Sequence, residues 1–297
     1  GYILNNTWFE GFPYIKMVDG VDIFFVLSGF LIGGILLKEL GKSPEIKINN
    51  VFLFWKRRWF RTLPNYYLIL LVNYIIVRNE IINEDIKYFD HNFLFFTQNF
   101  KSPFYGFFWE SWSLSVEEWF YLITPVLVLV LSRFIPLKRA YLYSTLIMIV
   151  FPVFYRISII NPTIDGFWWD VTFRKTVLCR LDSIGYGLLA AWIFRYYPVV
   201  WSRVRIPAFI TGAVLIVGIV NLRQPHSSFY QQVFNFSVVP VSVMLVLPLF
   251  EGIKTARGIV PLAIEHISKI SYSMYLINLV LVAEVIRDNF APRGGLF

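Results

Sequence analysis

The chain has 297 residues, of which 57% are apolar and only 15% charged, with a formal net charge of +8. Soluble domains carry about 25% charged residues, so this composition excludes a water-soluble globular protein. The apolar residues are collected into stretches of roughly 17–22 residues, the length with which an α-helix crosses a bilayer. They do not alternate with polar residues, which argues against a transmembrane β-barrel. The sequence therefore predicts an all-α polytopic transmembrane helix bundle, with residues 1–297 forming one integral-membrane domain.

Eight spans are predicted, at residues 21–37, 62–78, 112–132, 140–157, 177–195, 206–222, 233–250 and 268–287. The loop at 38–61 carries seven basic residues, whereas the loop at 79–111 is mainly acidic. By the positive-inside rule, 38–61 faces the cytoplasm, and 1–20 and 79–111 face outside. This parity predicts one more helix at each end and about ten spans in the whole protein. The aromatic segment 88–111 is expected to lie on the interface or to dip back into the bundle.

Ionisable residues inside predicted spans are functional candidates, because a charge in the bilayer is costly unless it faces protein or water. We identify six of them: Asp22, Glu117, Glu118, Arg180, Asp182 and Glu284. The predicted orientation brings groups from three different helices to one outer layer. Among these groups, Glu117 is the main candidate for a catalytic role.

Each acidic candidate also has a structural interpretation. Asp22 near a helix start can simply interact with the helix dipole. Glu117 shares a polar stripe with Ser113, Tyr121 and Thr124, which should face the bundle for function or for interhelical hydrogen bonding. Glu118 points elsewhere and is expected in the headgroup region, and Glu284 near an outer end is expected to be solvated.

Arg180 and Asp182 lie two residues apart and therefore cannot pair on one helix. Either can pair across helices, and a structural ion pair and a substrate-binding role both stay open. Asn278, at mid-depth in its predicted span, needs a partner on a neighbouring helix or a ligand.

A basic cluster, Lys56-Arg57-Arg58-Trp59-Phe60-Arg61, precedes Thr62-Leu63-Pro64, which is predicted to open a helix. Arg58 and Arg61 share one face, and two guanidiniums beside a helix N-terminus suit a phosphate group. The alternative is an anchor to acidic lipid headgroups. In the first span, Gly29 and Gly33 predict close helix packing. Ser28 has no base at helical spacing, which speaks against a catalytic serine.

The remaining composition excludes other kinds of site. The single cysteine excludes an internal disulfide framework, and the three scattered histidines offer no metal-ligand spacing. Because the positive charge is concentrated beside apolar spans, it indicates a lipid bilayer as the partner rather than nucleic acid.

At several of these residues the chain resembles the acyltransferase 3 family of membrane O-acyltransferases. The matching blocks are Gly20–Gly33, Arg58-Trp59-Phe60-Arg61 with Pro64, Trp112–Tyr121 with its Glu117-Glu118 pair, Arg180-Leu181-Asp182, and Ser271–Leu276. They occur in the order of the family and extend over nearly the whole chain.

The resemblance implies about ten helices and transfer of an acyl group, usually acetyl, from cytoplasmic acyl-CoA to a hydroxyl. The acceptor would be an extracytoplasmic or lipid-linked glycan, and the membrane the bacterial plasma membrane. It further implies that Arg58 and Arg61 engage the phosphates of the donor, while no cofactor is held permanently. Glu117 and Asp22 would then be catalytic candidates on the acceptor side, with Arg180, Asp182 and Asn278 as substrate-binding candidates.

The chain departs from the family in one respect. Family members carry an Arg and a central His in their first helix, and often a His where Asn278 lies, but none of the three histidines here can replace them. The parity of the spans and the start without Met favour a chain that begins after that helix over an inactive relative. The main catalytic His is therefore expected upstream of Gly1.

Other functions stay open at this point. One alternative is a multi-span transporter or flippase, whose buried charges would line a pathway rather than a reaction centre. Another is a catalytically inactive member of the family. The sequence leaves the oligomeric state open.

Overall fold

The computed structural model describes residues 20–42, 47–81, 85–104, 106–221, 224–251 and 275. Within these ranges the regular structure is entirely helical. The longer helices are α1 (Gly20–Leu40), α2 (Ile48–Arg78), α3 (Ser111–Ser132), α4 (Leu137–Ser158), α5 (Val177–Tyr196), α6 (Arg205–Asn221) and α7 (Asn235–Glu251).

Six of the helical stretches described are long and apolar enough to cross a membrane; α6 is apolar but shorter. These helices coincide with the first seven predicted spans. The eighth predicted span, 268–287, lies outside the described residues.

The start of α2 corrects the sequence prediction. The helix begins at Ile48 rather than at residue 62, so the basic cluster lies inside it and Thr62 does not open a helix. Lys47 and Asn50 close the N-terminus by reciprocal hydrogen bonds, at 3.0 and 2.9 Å. Pro64 removes one backbone hydrogen bond, a loss that membrane helices tolerate when their neighbours support them.

Cross-helix contacts fix the relative directions of the helices. Ser28 of α1 hydrogen bonds Glu117 of α3, and Asp22 of α1 pairs with Arg180 of α5. These contacts join residues at similar distances from the helix starts, so α1, α3 and α5 run parallel. In contrast, Trp55 of α2 bonds to Tyr121 of α3 and Thr62, further along α2, bonds to Glu118, which is earlier in α3, so α2 runs the other way. We call the end at which α1, α3 and α5 begin the outer end, following the positive-inside prediction.

Glycines bring α1 and α5 into backbone contact, as the small-residue pattern predicts. A Cβ atom on Gly29 would overlap the carbonyl oxygen of Ile184 and lie 3.0 Å from the Cα of Gly187. A side chain on Gly33 would overlap the Tyr141 hydroxyl. Packing therefore accounts for Gly29 and Gly33.

The aromatic segment between α2 and α3 packs into the bundle, the second of the two arrangements expected for it. Phe93, Phe96 and Phe107 are buried, and Tyr66 of α2 donates a hydrogen bond to the Phe93 carbonyl at 2.8 Å. Phe95 is exposed, so this segment also presents an aromatic side chain outward. The segment closes the outer part of the groove between α2 and α3.

Candidate active site

Glu117 lies in the second turn of α3 and is only 4% exposed. Its Oε1 atom accepts a hydrogen bond from the Ser28 hydroxyl and one from the Tyr121 hydroxyl, the latter at 3.3 Å. Ser28 has no base at helical spacing, as predicted, but the structure brings a carboxylate to it from another helix. Both hydrogen bonds end on Oε1, which leaves Oε2 for the adjoining cavity.

A cavity of about 230 Å³, which we call the inner chamber, lies between α1 and α3. It is lined by Gly20, Val21, Phe24, Ser113, Leu114, Glu117 and Tyr275. Ser113 donates a hydrogen bond to the Tyr275 hydroxyl at 2.9 Å. The predicted polar stripe of α3 thus faces the bundle, and Glu117 is the only carboxylate among the described residues that line this chamber.

Glu118 faces a different cavity and corrects the prediction of a headgroup position. It is 8% exposed, and its Oε1 accepts a hydrogen bond from Thr62 of α2 at 2.8 Å. The cavity beside it measures about 390 Å³ and is lined mainly by aromatic and aliphatic side chains of α2, α3 and the segment between them. Burial between helices, rather than contact with headgroups, accounts for Glu118.

Asp22 and Arg180 form a buried ion pair between the first turns of α1 and α5. Asp22 is 8% exposed and Arg180 is 1% exposed. The ion pair, and not the helix dipole alone, therefore explains why a carboxylate is stable at this buried position. The guanidinium also lies over the Phe236 ring, with Cζ 4.6 Å from its centroid. Neither residue of the pair lines the inner chamber.

Asp182 pairs with Arg156 of α4, an arginine that the sequence analysis missed. The closest nitrogen–oxygen distance is 2.8 Å, both side chains are fully buried, and Ser237 of α7 bonds to the same carboxylate oxygen at 2.7 Å. The signal in the sequence was the position of Arg156 inside predicted span 140–157. Arg180 and Asp182 therefore each pair across helices, as one of the two interpretations expected, and Asp182 also lies away from the inner chamber.

Arg58 and Arg61 lie about three turns inside α2, not at a helix N-terminus, which corrects their predicted setting. Arg58 is half-buried and Arg61 exposed, and the positive charges of both act on the Glu117 carboxylate. Because α2 runs toward the outer end, Arg58 lies one turn closer to the inner end than Thr62. Arg61 thus lies near the level of Glu117 and Glu118, and Arg58 about one turn closer to the inner end.

Three positions named in the sequence analysis lie outside the described residues. They are Asn278, Glu284 and Gly1, upstream of which the main catalytic His is expected. The substrate-binding role of Asn278 and the position of that His stay predictions. No cluster of three metal-ligating side chains occurs in the part of the chain that the structure describes.

Comparison with known proteins gives the family of the chain. The profile of the acyltransferase 3 family, an acyltransferase domain, matches residues 17–292. The chain belongs to the acyltransferase 3 family. No solved structure gives a significant match.

Curated relatives within this family are bacterial. A Staphylococcus aureus protein with the provisional name O-acetyltransferase is 23% identical, over 96% of this chain and 48% of its own length. The peptidoglycan O-acetyltransferase OatA of Listeria monocytogenes is 34% identical, over 45% of this chain and 22% of its own length. The acyltransferase 3 chain described here thus spans about half the length of the Staphylococcus relative.

Proposed function

We propose that this protein is an integral-membrane O-acetyltransferase of the bacterial plasma membrane. It moves an acetyl group from cytoplasmic acetyl-CoA to a hydroxyl of an extracytoplasmic glycan. Peptidoglycan is the first acceptor to test, because it is named for the Listeria relative. The observation that carries the proposal is Glu117, a buried carboxylate that lines a chamber and lies within electrostatic reach of Arg58 and Arg61.

In the proposed step, the acceptor hydroxyl enters the inner chamber and gives its proton to Oε2 of Glu117, either directly or through the catalytic His expected upstream of Gly1. Its oxygen forms a bond to the acetyl carbon, the thioester carbon–sulfur bond breaks, and coenzyme A leaves as the thiolate. Ser28 and Tyr121 act as positioning residues, because their hydrogen bonds fix the other carboxylate oxygen. A positioned general base accelerates such a step by about 10²–10⁴-fold.

Arg58 and Arg61 would hold the donor at the other side of the same reaction centre. Guanidinium groups bind phosphate through paired charge-assisted hydrogen bonds, and the donor carries phosphates at the end remote from its thioester. With the phosphates held by α2, the pantetheine arm can extend toward Glu117. Acetyl-CoA is thus a co-substrate, and no permanently bound cofactor is needed.

The test uses the full-length protein in membranes, labelled acetyl-CoA and peptidoglycan as the acceptor. The Glu117→Gln variant should lose at least about 10²-fold in transfer at matched expression. Glu118→Gln is the matched control, because it removes the neighbouring carboxylate of the same helix but one that faces another cavity. Full transfer by Glu117→Gln would refute the catalytic role, and no label on any glycan with the wild-type protein would refute the function.

A further inference from the structure

A second cavity, of about 250 Å³, lies at the outer end directly beside the inner chamber. We call it the outer vestibule; it is lined by Val21, Trp109, Glu110, Trp112, Arg174, Lys175 and Tyr275. Val21 and Tyr275 line both cavities. The two cavities are therefore adjacent, and Val21 and Tyr275 lie in the wall between them.

The backbone on both sides of the vestibule is fixed by short helical turns. Trp109 and Glu110 directly precede α3 and Trp112 lies in its first turn, whereas Arg174 ends the wide turn before α5 and Lys175 follows it. The two cations are held at 2.8 and 2.6 Å from the carboxylate of Asp170. The charged groups are thus positioned in advance by an ion-pair network rather than left on long mobile side chains.

Each cation also lies over an indole ring. Lys175 Nζ is 4.2 Å from the ring centroid of Trp109, and Arg174 Cζ is 5.4 Å from that of Trp112. Such cation–π contacts hold the indoles in place and put a hydrogen-bond donor beside each ring. The vestibule therefore combines flat apolar faces, two cationic donors and, in Glu110, an anionic acceptor.

We infer that the outer vestibule is a sugar-binding subsite for the acceptor, with Trp109, Lys175 and Glu110 as its recognition residues. A pyranose ring has C–H faces that pack on indole rings, and its edge of hydroxyls needs both donors and acceptors. The volume is below the roughly 300–1,000 Å³ typical of pockets for drug-sized ligands, so it suits one sugar residue of a longer chain. This inference rests on the proposed function, since the sugar bound here would present a hydroxyl to Glu117.

Tyr275, which lines both cavities, indicates how a bound sugar would be oriented. The Tyr275 hydroxyl accepts from Ser113, which lines the inner chamber, and donates to the backbone carbonyl of Glu110 at 3.4 Å. Tyr275 thus connects the two cavities through one hydrogen-bonded chain. A sugar held in the vestibule would have one hydroxyl pointing past Tyr275 while the rest of the glycan stays outside.

The deciding experiment measures binding separately from transfer. The full-length protein in lipid nanodiscs is titrated calorimetrically with the N-acetylglucosamine–N-acetylmuramic acid disaccharide, and transfer is assayed in parallel. Trp109→Ala and Lys175→Gln should each raise the Kd for the disaccharide and the acceptor KM about tenfold. The kcat and the KM for acetyl-CoA should change less than twofold.

Matched controls come from the same outer end. Trp168→Ala removes an exposed indole from the short helix Gly166–Trp169, and Lys87→Gln removes an exposed cation that pairs with Asp85. Both should bind the disaccharide like the wild-type protein. If Trp109→Ala fails to fold, Lys175→Gln alone decides the question.

The outcomes separate this inference from the proposed function. Normal transfer with unchanged disaccharide affinity in both vestibule variants would overturn the subsite and leave the function standing. Disaccharide binding that these variants abolish, without transfer by the wild type, would support the subsite and overturn the function. Inorganic phosphate binding in place of the disaccharide would overturn the subsite in favour of an anion site.

Discussion

Asp22 and Arg180, 158 positions apart in the chain, form a buried ion pair that joins the first turns of α1 and α5. The pair lies at the outer end, beyond the backbone contact between the same two helices at Gly29 and Gly187. Two kinds of contact therefore hold α1 against α5. This matters for the candidate site, because α1 supplies Ser28 and one wall of both cavities.

Removing one partner of this ion pair should destabilise the protein strongly. Arg180→Gln or Asp22→Asn alone should lower the free energy of unfolding by about 3–5 kcal/mol, because the remaining polar group stays buried without its partner. The measurement is reversible unfolding in mixed detergent micelles. Arg57→Gln is the control: it breaks an ion pair with Glu39 whose arginine side chain is 61% exposed, and should cost at most about 1 kcal/mol. If Arg180→Gln lost no more unfolding free energy than the control Arg57→Gln, the buried-pair interpretation would be contradicted.

Two glycines of α1 should respond to alanine in opposite ways. Gly29→Ala places a methyl group against the backbone of α5 and should cost about 2 kcal/mol or more of unfolding free energy. A Cβ atom on Gly34 would have no neighbour within 4 Å. Gly34→Ala should therefore be neutral, or raise the free energy of unfolding by up to about 1 kcal/mol. The same micelle assay compares them. A tolerated Gly29→Ala would show that α1 and α5 can separate without loss.

The paired arginines should act on the donor rather than on the acceptor. Arg58→Ala with Arg61→Ala should raise the KM for acetyl-CoA at least tenfold, because each charge-assisted hydrogen bond contributes about 1.5–3 kcal/mol. Lys56→Ala with Arg57→Ala removes the same number of charges from neighbouring positions of α2 and serves as the control. Full transfer activity by the Arg58/Arg61 double variant would refute the donor role.

Asp170 should make the outer vestibule sensitive to acid. Burial raises the pKa of Asp170, but the hydrogen bond from Lys175 and the charges of Arg174 and Lys175 outweigh it, so the pKa lies below its ordinary value. A carboxyl whose folded pKa is lowered stabilises the folded protein at neutral pH and loses this effect as pH falls through that pKa. Asp170→Asn should therefore cost about 1 kcal/mol at pH 7 and progressively less below about pH 4.

Thermal unfolding of the wild type and Asp170→Asn at pH 7, 5 and 3 would test this expectation. Asp85→Asn, which breaks an exposed pair with Lys87, is the control and should have little effect at any of these pH values. A difference between wild type and Asp170→Asn that grows toward pH 3 would contradict the assigned sign.

The apolar spans were predictable because each one is a long, nearly charge-free stretch, and their bounds depend on local sequence alone. The start of α2 was not predictable in this way. The six basic and aromatic residues of the basic cluster, just before Pro64, resemble a loop unless the helices that pack against them are known. Val51 and Phe54 are buried in the bundle, which extends the helix through the basic cluster. Burial of these side chains against other helices thus outweighed the loop-like local sequence.

The buried ionisable residues were predictable from the sequence, but their partners were not, and of those residues that the structure describes only Glu117 lines the inner chamber. Glu117, Asp22, Arg180 and Asp182 were identified from the cost of placing charge in a bilayer. Which helix supplies each partner depends on packing, so the Ser28 hydrogen bond and the pairing of Asp182 followed only from the structure. Spacing along one helix carries no information about a partner 89 positions away.

Glu117 and Glu118 are neighbours in the chain, yet they face separate cavities because successive helical residues point about 100° apart. A small molecule that occupies one cavity therefore leaves the other carboxylate untouched. Inhibitors directed at Glu117 would compete with the acceptor, whereas compounds lodged beside Glu118 would bind without such competition. The adjacent carboxylates thus define two independent targets on a single helix.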